Sequence, residues 1–301
     1  MPAQDPTLEE VAAGVFAYVQ PDGGWCLNNA GLVATGDGAV LIDTAATEAR
    51  ARALREAVLG VCATPPGLLV NTHSHGDHSF GNALFPEAAV VSHENARREA
   101  LAAGLHLTTL WPGVSWGDLT VRAADLTFAG RTSLHRGDVR IELLHFGTAH
   151  TTGDTAVWLP DHGVLHTGDL VMAGVTPFFP MGSLAGSLRA VEELRALGAT
   201  TVVPGHGPVG GPELLDATED YLHYVRDLAA AGRRAGRSPR ETAAAHGPGP
   251  FAALLDAERL LPNLHRAYLE DADPGSESAV DMGALFAEMV EYCGGLPACH
   301  A

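Results

Sequence analysis

The sequence predicts an α/β fold followed by an all-helical tail, and three observations predict it. Short apolar runs bounded by Gly, Pro and Asp recur between residues 15 and 203, alternating with Ala-, Arg- and Glu-rich stretches of helical period. Beyond Pro212 the strand signals stop and only helical ones remain. No repeat of solenoid period cuts across that order. At 301 residues, 46% hydrophobic and 18% charged, the chain can bury a large core, as one domain with an appendage or as two.

Residues 15–20 read as a first strand, and residues 25–33 as a second after a Pro-Asp-Gly-Gly turn. Gly36-Asp37-Gly38 is a hairpin signal leading into a strand at 39–44. A helical stretch at 46–59 precedes the apolar run Leu68-Leu69-Val70-Asn71. A helix is expected to start near His78, with a strand at 88–92 and a helix at 94–103. Residues 104–120 have no clean period yet hold Trp111 and Trp116, and read either as a lid over an apolar substrate or as a packed loop. Strand-like runs return at 132–135, 139–146, 155–159, 164–166 and 200–203, with a helix at 184–197. Helices at 212–235, 239–246, 250–270 and 280–292 complete the chain.

The formal charge of −18 argues against a nucleic-acid partner, because neutralising phosphates needs basic patches. All 18 basic residues are arginine, which reads as a coding bias. No apolar run is long enough to span a bilayer, and the first residues lack the basic start and apolar core of a secretion signal. A cytoplasmic protein without a membrane partner is therefore expected. Cys26, Cys62, Cys293 and Cys299 form no CxxC pair and read as free thiols.

The chemistry concentrates in Thr72-His73-Ser74-His75-Gly76-Asp77-His78, directly after a buried strand. In an extended segment His73 and His75 share a face, and Gly76 permits a turn that carries Asp77 and His78 to the same side. Imidazole and carboxylate are ligands that borderline divalent ions prefer, zinc first among them. Four such donors on one turn point to a metal site, and to one with two ions. Further donors end later apolar runs and are flanked by Gly: His150, Asp169 and His206.

The order HxHxDH followed by His, Asp and His resembles the metallo-β-lactamase-fold hydrolases. That resemblance implies an αββα sandwich with a dinuclear centre on one edge: a catalytic domain over 1–210, with its first half running to about residue 150, and a helical extension over 211–301 packed on it. It implies that His73, His75 and His150 hold one ion, that Asp77, His78 and His206 hold the other, and that Asp169 bridges them. Two zinc ions are expected, with iron or manganese as alternatives. In the lactamases with a cysteine ligand, a Cys falls where this chain has Asp169; an oxygen bridge suits two ions sharing a hydroxide.

Weaker motifs look like a smaller group within that fold, the second-ring cyclases of bacterial aromatic (type II) polyketide pathways, of the actinorhodin cyclase-thioesterase type. They are Gly23-Gly24-Trp25-Cys26, the stretch from Leu110 to Gly117, Val175-Thr176-Pro177-Phe178, the stretch from Gly182 to Leu188, Asn263-Leu264-His265-Arg266-Ala267 and the stretch from Gly294 to Cys299. This resemblance implies aldol closure and dehydration of a poly-β-ketone held on an acyl carrier protein, then hydrolysis of the thioester, with Asp77 and a metal-bound hydroxide as base. The alternative is a plain thioesterase or lactonase with the same ligands. Trp25, Trp111, Trp116, Phe178, Phe179 and Met181 are candidates for an apolar substrate pocket, and Asn28 and Asn29 for orienting the substrate. Asp154 and Thr167 are candidates for holding ligands in place. The basic run from Arg233 to Arg240 is the candidate surface for an acidic carrier protein.

Overall fold

The computed structural model describes residues 5–272 and 280–301. Two mixed sheets lie face to face with helices outside each. The first holds β1 (Thr7–Ala12), β2 (Val15–Val19), β3 (Ala30–Thr35), β4 (Gly38–Ile42), β5 (Leu68–Val70), β6 (Ala89–His93) and β7 (Leu126–Phe128), in that spatial order. Its first three pairings are antiparallel, and those from β4 to β7 are parallel. The second holds β8 (Arg131–Arg136), β9 (Val139–Leu144), β10 (Ala156–Leu159), β11 (Val164–Met172) and β12 (Thr201–His206), ordered β12-β11-β10-β9-β8, with only β11 and β12 parallel.

Side-chain alternation along the strands builds the layers. Val40, Ile42, Val70 and Val91 face Ile141, Leu143, Val157, Leu159 and Val203 between the sheets. The intervening Leu41, Leu69 and Val90 point outward onto Leu54 and Val58 of α1 (Glu48–Val61). On the opposite side Trp158, Leu165 and Val202 pack beneath α5 (Leu184–Ala196), α6 (Glu213–Arg234) and α8 (Leu260–Ala272). Strands buried on both faces read as continuous apolar runs, which is why they were legible in the sequence. Truncating fully buried Leu54 to Ala would cost about 2–5 kcal/mol.

The remaining helices are α2 (Gly76–Ser79), α3 (Glu94–Ala103), α4 (Leu107–Leu110), α7 (Pro239–His246) and α9 (Met282–Cys293). Caps set several starts: Thr47 accepts from Arg50 N, Ser183 from Gly186 N, and Ser238 with Glu241 forms a capping box.

The structure corrects several expectations. The crossing between sheets falls between β7 and β8, near residue 130 and not near 150. The expected second strand begins only at Ala30. Cys26 adopts φ +64°, and Asn28 and Asn29 bond instead to the end of β12 in the other sheet. The helix expected near His78 starts at Gly76, as the single turn α2, and passes into a 3-10 turn over Phe80–Leu84. The expected helix at 250–270 begins at Leu260, because Asp256 takes the left-handed conformation and two short 3-10 turns precede it. Among the described residues, no helix is long and apolar enough to cross a membrane.

Candidate metal centre

Seven donors from four segments, the β5–α2 turn, the loop after β9, β11 and the end of β12, converge on one edge of the sandwich. His73, His75, His150 and Asp169 form one group whose ligand atoms lie within 4.8 Å of one another; Asp77, His78 and His206 form a second. Asp169 faces both. Its Oδ2 lies 3.7 Å from His73 Nε2, 3.4 Å from His150 Nε2 and 3.5 Å from His206 Nε2, and its Oδ1 lies 3.1 Å from His78 Nε2. Asp77 Oδ2 is 3.3 Å from His206 Nε2, and His150 Nε2 is 3.0 Å from His75 Nδ1.

The backbone explains the convergence. β5 delivers Thr72 and His73 between the sheets, and α2 turns Asp77 and His78 back to the same edge. Gly76 is needed less for its φ than for space: a Cβ there would sit 2.3 Å from the Phe80 ring. At Gly205 a Cβ would lie 2.0 Å from Asp169 Oδ1, so β12 approaches the Asp169 carboxylate only as glycine.

Most ligand rings are held from behind. His206 Nδ1 contacts the Gly23 carbonyl at 2.9 Å, and His150 Nδ1 contacts the Phe178 carbonyl. His78 Nδ1 lies 2.8 Å from Asp43 Oδ2, and Asp43 also accepts from Thr72 N (2.7 Å) and Thr72 Oγ1 (2.6 Å). Asp43 has φ +59°, a strained conformation for a non-glycine residue that puts its carboxylate under the ligand turn. Ser74 and Thr152 both donate to Glu99 of α3, joining the loop of His73 and His75 to that of His150. Asp154 accepts from Thr151 N and Oγ1 beside His150, whereas Thr167 donates to the Gly168 and Val203 carbonyls.

The protonation states differ between the two donor groups. Burial pushes His73 well below the ordinary histidine range, lowers His75 and brings His150 to about 3, so these imidazoles are neutral. For His78 burial acts the same way, but Asp169, Asp43 and Asp77 outweigh it and raise it well above that range; His206 rises to about 9 against its own burial, through Asp169 and Asp77. Burial raises the carboxyls of Asp77 and Asp169, yet the facing histidines prevail, holding Asp77 at about 2 and Asp169 well below the usual carboxylate range. Asp154 has no such compensation, and burial lifts it to about 8.

His73 Nε2 and His75 Nε2 are buried without a hydrogen-bond partner, which is costly for a polar atom unless a ligand completes it. The neutral imidazoles of the first group, the ionised carboxylates and these incomplete nitrogens together fit divalent ions.

The residues expected at the substrate pocket divide. Trp25 meets Trp111 at 5.3 Å and Phe178 at 5.1 Å between ring centroids, and Met181 packs on the same patch. Trp116 joins Trp25 and Trp111 in one cluster with Cys26. The segment 104–120 is thus a packed cover whose Trp111 is 3% exposed. Phe179, by contrast, lies in the core beneath α5, α6 and α8. Asn28 and Asn29 do not present their amides to a substrate. Asn28 Nδ2 donates to the Asn29 and Thr44 carbonyls, and Asn29 Nδ2 to those of Pro204 and Gly207, fastening the two sheets together.

Three supporting residues escaped sequence reasoning. Asp43 carried a signal, an acid ending the apolar run Val40-Leu41-Ile42 as Asp169 ends its own. Glu99 carried none. Arg259 is 2% exposed, lies 4.0 Å over the Trp25 ring and pairs with Asp256 at 2.8 Å, so the helical extension reaches under the aromatic wall.

A model of the metallo-beta-lactamase superfamily matches residues 23–206. A type 2 metallo-beta-lactamase of Bacillus cereus is 27% identical over 209 residues, 67% of this chain and 73% of that protein. The beta subunit of a 2,4-dinitroanisole O-demethylase from Nocardioides is 28% identical over 238 residues, 77% of this chain and 68% of that protein. A hydroxyacylglutathione hydrolase of Methylococcus capsulatus is 32% identical over 138 residues, 46% of each chain. Among solved structures, a metallo-beta-lactamase from Pontibacter korlensis superposes with TM-score 0.60 at 24% identity, covering 73% of this chain and 99% of the other. Another from Pseudomonas aeruginosa, in a mono-zinc form, superposes with TM-score 0.61 at 21% identity, covering 74% and 97%.

Proposed function

The chain belongs to the metallo-beta-lactamase superfamily, and from that premise we propose that it is a dinuclear metallohydrolase acting on an acyl compound with an apolar acyl part, a thioester or a lactone. One observation carries the reading: Asp169 faces both donor groups at 3.1–3.7 Å, so a single carboxylate would be shared by two ions. His73, His75 and His150 would hold one ion, Asp77, His78 and His206 the other, with Asp169 shared. Zinc suits this nitrogen-rich set. Such ions, when bound, supply Lewis acidity toward a carbonyl oxygen and toward water.

The protein's own groups do the rest. Asp77 is anionic, buried, and placed to accept a proton from a nucleophile at the second donor group. Asp43 keeps His78 oriented through Nδ1, leaving Nε2 directed into the site. Trp25, Trp111, Phe178 and Met181 form an apolar wall beside the ligands, since the Phe178 carbonyl itself holds His150; that wall excludes water and seats an acyl chain. The likeness to a hydroxyacylglutathione hydrolase supports a thioester substrate.

That aromatic wall also favours a second reading, in which a polyketide thioester folds against it and closes its second ring by aldol condensation before release. A carrier protein would then dock near the run from Arg233 to Arg240. There Arg233 already pairs with Asp271 and Arg240 with Glu291, leaving less charge for docking than the sequence suggests.

The test is elemental analysis of purified protein, followed by incubation with an aryl thioester, a lactone, a β-lactam and a bicyclic polyketide thioester, with products read by mass spectrometry. About two metal equivalents and free acid from thioester or lactone support the hydrolase. A dehydrated, ring-closed product selects the cyclase. Protein that binds metal but turns over none of these overturns both readings.

A further inference from the structure

Cys26 and Cys299 stand at opposite ends of the sequence and meet in the fold: buried Cys26 and partly buried Cys299 pack in one cluster with Trp25, Trp111 and Trp116. The segment around Cys299 is otherwise tied to the same wall by two contacts. Trp111 Nε1 donates to the Pro297 carbonyl at 2.8 Å, and Arg50 Nη2 donates to the His300 carbonyl at 2.5 Å.

We propose that Cys26 and Cys299 form a reversible thiol–disulfide pair whose oxidation fastens residues 297–301 across the aromatic wall of the metal centre. The two thiols differ in access. Cys299 is partly exposed and Cys26 is 2% exposed, so an oxidant reaches Cys299 first and Cys26 resolves. With hydrogen peroxide, the Cys299 sulfur attacks one oxygen, the O–O bond breaks, and a sulfenic acid and one water result. The Cys26 sulfur then attacks that sulfenyl sulfur, the S–O bond breaks, and a second water leaves. The two thiols together lose two protons and two electrons, and the peroxide is reduced to two waters. A dithiol reverses the bond by exchange. The other thiols are placed differently: Cys62 caps α1 and Cys293 ends α9, and among the described residues neither meets a second thiol. In the reduced form the strap is held only by non-covalent contacts and can lift to admit substrate; the disulfide removes that freedom.

The experiment treats the whole protein with hydrogen peroxide or oxidised glutathione, alkylates remaining thiols and maps peptides by mass spectrometry, with hydrogen exchange on the same samples. The expected result is a Cys26–Cys299 cross-linked peptide, reversed by dithiothreitol, with exchange in residues 296–301 slowed at least tenfold. A C62S/C293S variant should keep both effects, and C26S and C299S should lose both. If Cys26 stays reduced at peroxide doses that oxidise Cys62 and Cys293, or if Cys299 pairs with Cys293, the proposal is wrong. Neither readout depends on turnover, so this outcome is separable from that of the hydrolase assay.

Discussion

The two donor groups of the metal centre use the same residue types yet sit in opposite charge states. His73, His75 and His150 are kept neutral mainly by burial, whereas His78 and His206, equally buried, are held protonated by facing carboxylates. The difference lies in what stands behind and beside each ring. Asp43 backs His78 and Asp77 faces His206, whereas His150 is backed by the Phe178 carbonyl, a dipole without net charge. An ion entering the first group would find its candidate ligands already deprotonated; at the second it would have to displace protons. The same fold edge therefore offers two sites of unequal pH sensitivity.

Removing the residue common to both groups should erase the contrast. Asp169→Ala should lower activity by well over the roughly 10–100-fold that loss of a supporting residue costs, and reduce bound metal at both groups. Elemental analysis showing two retained equivalents would refute the bridging role. Asp43→Asn should act on one side only: about 10–100-fold weaker metal binding at the second group with the first little changed, measured by chelator competition. Equal loss at both would mean that Asp43 supports the whole edge through Thr72.

The pH dependence should follow the same division. His206 ionises at about 9 in the folded chain, so between pH 6 and 8 metal uptake at the second group should release protons. Its affinity should fall roughly tenfold per pH unit for each proton displaced. Uptake at the first group should release almost none, because His150 lies at about 3. Calorimetry in buffers of different ionisation enthalpy counts those protons.

The smallest effect concerns protein stripped of metal. Both His206 (about 9) and Asp154 (about 8) bind protons more tightly folded than unfolded. Their stabilisation is full below the unfolded values and is lost as pH rises through the folded ones. The melting temperature of stripped protein should therefore fall by a few degrees between pH 6.5 and 9. Metal-loaded protein should show the opposite slope, losing stability as pH falls and protons compete for the ligands.

Much of this centre was legible because its signals are local. The apolar runs ending at Val70 and Val203, and the donors that follow each within a few residues, depend on spacing along one strand and one turn. Such spacing is written in sequence order. The helix α3 was read to the residue for the same reason, since its period and its punctuation lie within ten positions.

The tertiary structure alone decided what distant segments do to one another. Asn28 and Asn29 looked like free amides until the second sheet met them. Phe179 looked like a neighbour of Phe178, although successive side chains there point to different clusters. Asp43, Arg259 and the Cys26–Cys299 contact follow from closures of long loops, and no local period reports which ends will meet. The sequence by itself determined the seven donors and their order; which imidazoles carry protons was decided by the carboxylates that folding placed behind them, because charge interacts through space and not along the chain.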